Sequence, residues 1–185
     1  MMSELKVSTL KNCSQIDQFG TQNKYFLKSI NLIEANQLRY SEIYQSCSKD
    51  PIYKWLFTKR FPEGYSLNNA KEFFLWAQAS WKQGAHFVYL ITDQKGSIVG
   101  SIDIRSNNLP LAETGYWVSP NHSGLASNAL AKLIEIAKEA GYKALFAQVE
   151  ARNVRSIKVL ERNGFSRDDS LKTNENCDQA YKKLL

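Results

Sequence analysis

The chain has 185 residues, 43% of them hydrophobic and 12% aromatic, with a formal net charge of +6. That size and apolar content suit one domain with a core able to fold without a disulfide or metal staple. Three cysteines (Cys13, Cys47, Cys177) stand far apart, and His86 and His122 are the only histidines, which argues against a disulfide framework and a structural zinc site.

Free thiols point to a reducing compartment. The N-terminus shows no signal-peptide core, and no apolar run reaches the ~18 residues that a membrane span needs. A soluble cytoplasmic protein, monomer or homodimer, with no metal and no membrane contact, is expected. The positive charge suits solubility or an anionic ligand such as a polyphosphate cofactor. Its scatter along the chain argues against nucleic acid as the main partner.

In chain order, the polar stretch 1–20 is expected to be loosely ordered, with the folded domain over 21–185. Tyr25 to Ile30 reads as a strand. A helix opened by Asn31 or Asn36 follows, running to about Ser48. Pro51 breaks it, and Ile52 to Phe57 is an aromatic and apolar stretch closed by a turn at Phe61-Pro62-Glu63-Gly64. Ser66 is the expected N-cap of a helix from Leu67 to Gln83, ended by Gly84.

Strand texture then takes over. His86 to Thr92 and Ser97 to Arg105 form a hairpin about Asp93-Gln94-Lys95-Gly96, and Leu111 to Val118 adds a third strand. A helix from about Gly124 to Gly141 carries Leu125, Ala129, Leu130, Leu133, Ile134 and Ala137 at helical spacing. Ala144 to Val149 is a buried-type strand, Asn153 to Asn163 a helix, and two closing strands begin at Phe165 and Gln179. The order predicts an α/β fold: a mixed sheet, antiparallel in its N-terminal meander and parallel in its C-terminal part, flanked by helices.

The informative junction is Trp117-Val118-Ser119-Pro120-Asn121-His122-Ser123-Gly124-Leu125-Ala126-Ser127. A strand ends, a turn of small residues follows, and a helix begins. Helix N-termini expose unpaired N–H groups and partial positive charge, so they receive phosphates. Gly124 and Ala126 let a bulky anion approach the backbone. An ordinary strand-to-helix turn has the same composition. Asn153 and Gly164, taken singly, are a helix N-cap and C-cap.

Together these stretches resemble the GNAT acetyltransferases. Asn121-His122-Ser123-Gly124-Leu125-Ala126 is similar to motif A of that superfamily, Q/R-x-x-G-x-G/A, with Asn121 in place of Gln or Arg. Asn153, Ser156, Leu160, Glu161, Gly164 and Phe165 fill every fixed position of motif B, N-x-x-S-x-x-x-L-E-x-x-G-F. Ala112-Glu113-Thr114-Gly115-Tyr116-Trp117-Val118 resembles the A-E-I-G-Y-W strand of the RimJ/RimL-like branch, which acetylates protein N-terminal amines and includes relatives acting on other amines. Three motifs in order are far more specific than one glycine loop.

The resemblance implies a single GNAT domain that uses acetyl-CoA as cosubstrate and transfers acetyl directly to a primary amine. Acetylation of a small amine (polyamine, amino acid or aminoglycoside) and a non-catalytic acyl-CoA sensor are the alternatives. It also implies that the backbone of Tyr116, Trp117 and Val118 pairs with the pantetheine arm, and that Ser123, Gly124, Leu125, Ala126 and Ser127 present amides to the pyrophosphate. Asn153 would lie near the pantetheine while capping its helix.

Ser156 is the expected general acid at the CoA sulfur. A first-turn serine bonded to its own backbone is the other reading. Glu113 is the first candidate for the base that deprotonates the amine, with Glu150 and Asp103 behind it. A solvent-facing strand charge is the plainer account of Glu113. His122, inside the pyrophosphate loop, suits phosphate contact.

Overall fold

The structure, a computed structural model, describes residues 10, 12–17, 23–122, 124–173 and 178–185. Its strands are β1 (Cys13–Asp17), β2 (Lys24–Ser29), β3 (Phe87–Thr92), β4 (Ile98–Ile104), β5 (Ala112–Val118), β6 (Ala144–Val149), β7 (Ser166–Arg167) and β8 (Gln179–Leu184). Its helices are α1 (Gln37–Cys47), α2 (Leu67–Lys82), α3 (Leu125–Glu139) and α4 (Val154–Arg162). The strands form one sheet in the order β1-β2-β3-β4-β5-β6-β8-β7.

Neighbours from β1 through β5 pair antiparallel, with α1 and α2 inserted between β2 and β3. β5 and β6 pair in parallel, with α3 as the crossover between them. β8 then returns antiparallel to both β6 and β7. The expected parallel C-terminal part is therefore a single parallel pair. The chain comes back into the sheet from α4 through a two-residue strand and reverses before β8.

Local chemistry explains the helix starts. Asn36 caps α1, its side chain accepting the Arg39 amide at 3.1 Å. At α2, Ser66 Oγ accepts the Asn69 amide at 3.1 Å while Asn69 Oδ1 accepts the Ser66 amide at 2.8 Å. This reciprocal pair satisfies two groups that a helix start otherwise leaves open. Two segments were invisible in the sequence. Cys13–Asp17, inside the stretch expected to be loose, is an edge strand on β2, with Ile16 its buried residue. Tyr53–Phe57 is a π-helical turn, closed by the Thr58 amide on the Tyr53 carbonyl at 3.0 Å.

The core centres on β3, where Phe87, Val88, Tyr89, Leu90 and Ile91 are all 0% exposed. Trp81 of α2 meets Phe87 and Tyr89 edge-on, with ring centroids 5.4 and 5.0 Å away. Such pairs add to simple area burial. Among the described residues no helix is long and apolar enough to cross a membrane, and no group of three or more His, Cys, Asp or Glu side chains is placed to hold a metal ion.

Candidate active site

The site begins with a missing stretch of ladder. β5 and β6 pair only at Ala112↔Leu145 and Glu113↔Phe146. β5 continues to Val118 and β6 to Val149, so the two strands diverge into a wedge. On its other side β5 stays paired with β4, from Ile104↔Thr114 to Gly100↔Val118. The β6-facing edge of Thr114–Val118 thus has no strand partner among the described residues. An open edge of this kind accepts an extended ligand through its main chain.

At the end of β5 the chain turns into α3. Gly124 is the N-cap, in the left-handed region at φ 83°, where a side chain is strained. Glycine also brings no capping group. The Leu125 amide bonds the His122 carbonyl at 3.3 Å and the Ser127 amide the Gly124 carbonyl at 3.2 Å. These long contacts leave the N-terminal dipole of a 15-residue helix without a side-chain anion from its N-cap. Ser127 Oγ accepts from Asn163 Nδ2 at 3.1 Å, tying α3 to α4. Ser123 lies outside the described residues.

His122 Nδ1 lies 2.9 Å from the Tyr25 hydroxyl, with the rings edge to face. Burial holds the imidazole below its ordinary pKa, against a smaller opposing pull from Asp93. In the neutral tautomer with bare Nδ1, Tyr25 donates and Nε2–H remains a donor. Tyr25, a β2 residue, could not be linked to this loop from sequence, because the pairing spans 97 positions.

α4 starts beside the wedge. Asn153 Oδ1 accepts the Ser156 amide at 3.3 Å, so its capping role is realised. Ser156 Oγ lies 2.9 Å from the Tyr116 hydroxyl, which also reaches the Ser156 carbonyl at 3.1 Å. The serine side chain therefore meets β5 rather than its own helix. Burial pushes the Tyr116 phenol up to about 12, partly offset by the Ser156 bond. It stays protonated at working pH and is a hydrogen-bond donor. Sequence reasoning had assigned Tyr116 a backbone role and missed its hydroxyl.

Glu113 is placed differently. Side chains alternate along a strand, so Glu113 and Tyr116, three apart, face opposite sides of the sheet. Glu113 Oε1 accepts from Arg105 Nη1 at 2.7 Å. Arg105 Nε also meets Asp103 at 3.3 and 3.4 Å. Asp103 bonds His86 Nε2 at 3.0 Å and accepts the Gly115 amide at 2.8 Å. Burial alone would raise the Asp103 carboxyl, but Arg105, His86 and the Gly115 amide outweigh it and hold it below its usual range.

A Cβ at Gly115 would collide with the Arg105 guanidinium, so the network occupies the space that this glycine leaves. The register that sets the Arg105 amide on the Glu113 carbonyl at 2.8 Å is a signal that the β4–β5 hairpin carried in sequence. Glu150, the other carboxylate considered, lies 3.5 Å from Lys59 Nζ.

The wedge, the glycine-capped helix and the hydroxyl pair suit a pantetheine, a pyrophosphate and a thiolate leaving group in turn. Residues 32–166 match the family described as Acetyltransferase (GNAT) domain. No curated protein matches the sequence.

Among solved structures, RimJ of Mycobacterium smegmatis in complex with CoA-disulfide superposes with a TM-score of 0.74 at 16% identity, covering 95% of this chain and 88% of that one. RimL, the ribosomal L7/L12 alpha-N-protein acetyltransferase in complex with coenzyme A, gives 0.70 at 16%, covering 93% and 98%. The microcin C7 self-immunity acetyltransferase MccE in complex with acetyl-CoA and AMP gives 0.69 at 16%, covering 89% and 94%. At these identities the likeness is one of fold. The family match spans most of the chain, which therefore belongs to the GNAT acetyltransferases.

Proposed function

We propose that the chain transfers the acetyl group of acetyl-CoA directly to a primary amine, and that a protein or peptide N-terminal amine is the acceptor. The Tyr116–Ser156 hydroxyl pair, lying where β5 and β6 diverge, carries the reading. Similarity in fold to RimJ and RimL, and the β5 sequence, support the choice of acceptor. Fold alone does not supply one.

Acetyl-CoA contributes a thioester, whose carbonyl carbon takes a lone pair from a neutral amine. The C–N bond forms, the C–S bond breaks, and the sulfur leaves as thiolate. The open edge of β5 aligns the pantetheine as an added strand, and the start of α3, with His122 Nε2–H, faces the pyrophosphate. The Tyr116 hydroxyl, set by Ser156, donates toward the departing sulfur. Ser156 then supports Tyr116 as well as acting on its own account. The Arg105 ion pair makes Glu113 a positioning residue that braces β5 against β4, and the amine proton passes to water.

The test is acetyl-CoA-dependent thiol release across N-terminal peptides, polyamines, amino acids and aminoglycosides, with mass analysis of the acetylated product. Release on peptides, with the mass gain at the α-amine, is expected. Heat protection by CoA with no thiol release on any acceptor would contradict transfer and leave the acyl-CoA sensor as the better account.

A further inference from the structure

A cavity of about 220 Å³ lies between the π-helical turn and the β6–α4 junction, lined by Lys54, Trp55, Thr58, Lys59, Glu150 and Arg152. Three cations face one carboxylate there. Glu150 is met by Lys59 at 3.5 Å, and Lys54 Nζ sits 4.9 Å from the Trp55 ring centroid. The Thr58 hydroxyl bonds the Tyr53 and Lys54 carbonyls at 3.1 and 3.2 Å, and Tyr53 O–H bonds the Phe61 carbonyl at 2.6 Å. This wall is a braced platform.

The opposite wall is formed by Glu150 and Arg152, just ahead of Asn153 in the chain. The Asn153 amide bonds the Glu150 carbonyl at 2.8 Å, and Asn153 caps Ser156. Arg152 therefore lies within that turn, next to the N-cap of the helix that carries Ser156.

We infer that this cavity is an acceptor subsite, and that the preferred acceptor is a peptide with acidic side chains directly after its N-terminal amine. The inference rests on the transfer reading above and adds a charge preference to it. A polyamine or aminoglycoside would bring positive charge to a surface with an excess of cations. An acidic peptide brings carboxylates to Lys54, Lys59 and Arg152, and Trp55 offers a flat apolar surface for its backbone. The same cations disfavour the ammonium form of the incoming amine, so they raise the fraction that is neutral and nucleophilic.

The test is thiol release on three peptides of equal length that differ only in carrying Glu, Gln or Lys after the first residue. Expected is kcat/KM in the order Glu, Gln, Lys, with about tenfold between the extremes at low salt and less at high salt. Lys54→Glu and Arg152→Glu should each narrow or invert that order without raising the KM for acetyl-CoA. Lys138→Glu, an equal charge change at the far end of α3, should leave the order intact.

Equal rates on Glu and Lys peptides overturn the subsite while leaving peptide acetylation standing. So does a Lys138→Glu effect as large as the others, or a raised acetyl-CoA KM in Lys54→Glu or Arg152→Glu. No transfer to any of the three peptides overturns peptide acetylation, and the subsite with it.

Discussion

Helices α2 and α3 begin in opposite ways. At α2, Ser66 and Asn69 exchange hydrogen bonds and close the first turn. At α3, Gly124 supplies no side-chain cap and holds a backbone angle that other residues avoid. The strands show the same division. β3 is laddered on both sides and buried throughout, whereas β5 keeps β4 but loses β6 after Glu113. One half of the molecule satisfies its own backbone. The other leaves groups open that a ligand could complete, and the proposed site is placed there by hydrogen-bond accounting rather than by a deep hole.

That contrast can be broken at either end. The largest effect belongs to the closed half: Phe87→Ala removes a fully buried ring packed on Trp81 and is expected to cost about 3–5 kcal/mol by chemical denaturation, with donor affinity unchanged in the folded fraction. Gly124→Val strains the left-handed N-cap by about 1–3 kcal/mol and narrows the approach to the α3 amides. Calorimetric CoA affinity should fall about tenfold or more, the worth of one or two charge-assisted hydrogen bonds. Ser66→Ala opens the α2 cap and should cost about 1 kcal/mol of stability with no change in turnover. A change in CoA affinity from Ser66→Ala and none from Gly124→Val would reverse the comparison.

The smallest effect is a pH dependence. His122 has a folded pKa depressed below its ordinary ~6.5 by burial. The unfolded chain then binds the proton more readily, so this contribution to stability is present above about 6.5 and is lost as pH falls toward the folded value. Partial exposure keeps it small. His122→Gln should flatten that part of a stability-against-pH curve.

What the sequence disclosed was local. Ser66 and Asn153 announced caps, Asn36 was one of two candidates for a third, apolar runs about a turn announced the β3–β4 hairpin, and the order of motifs announced the family. Ile16 alone could not reveal β1, because one apolar residue among polar ones makes no periodicity. The π-helical turn at Tyr53 depends on a hydrogen bond that propensity does not encode. Glu113 looked like a base because its strand position was legible, whereas its ion pair with Arg105 depends on the β4–β5 register. The Tyr116–Ser156 and Tyr25–His122 contacts join residues 40 and 97 positions apart, and only the fold brings them together.

The Tyr116 and Ser156 hydroxyls are proposed to act on the departing sulfur. That role is tested most directly by comparing thiol-release kcat and CoA affinity in Tyr116→Phe and Ser156→Ala with those of the wild type. Expected are a kcat lowered about 100-fold in Tyr116→Phe, a smaller loss in Ser156→Ala, and CoA affinity within about twofold in both. Wild-type turnover in both variants, or weakened CoA binding with kcat intact, would contradict it.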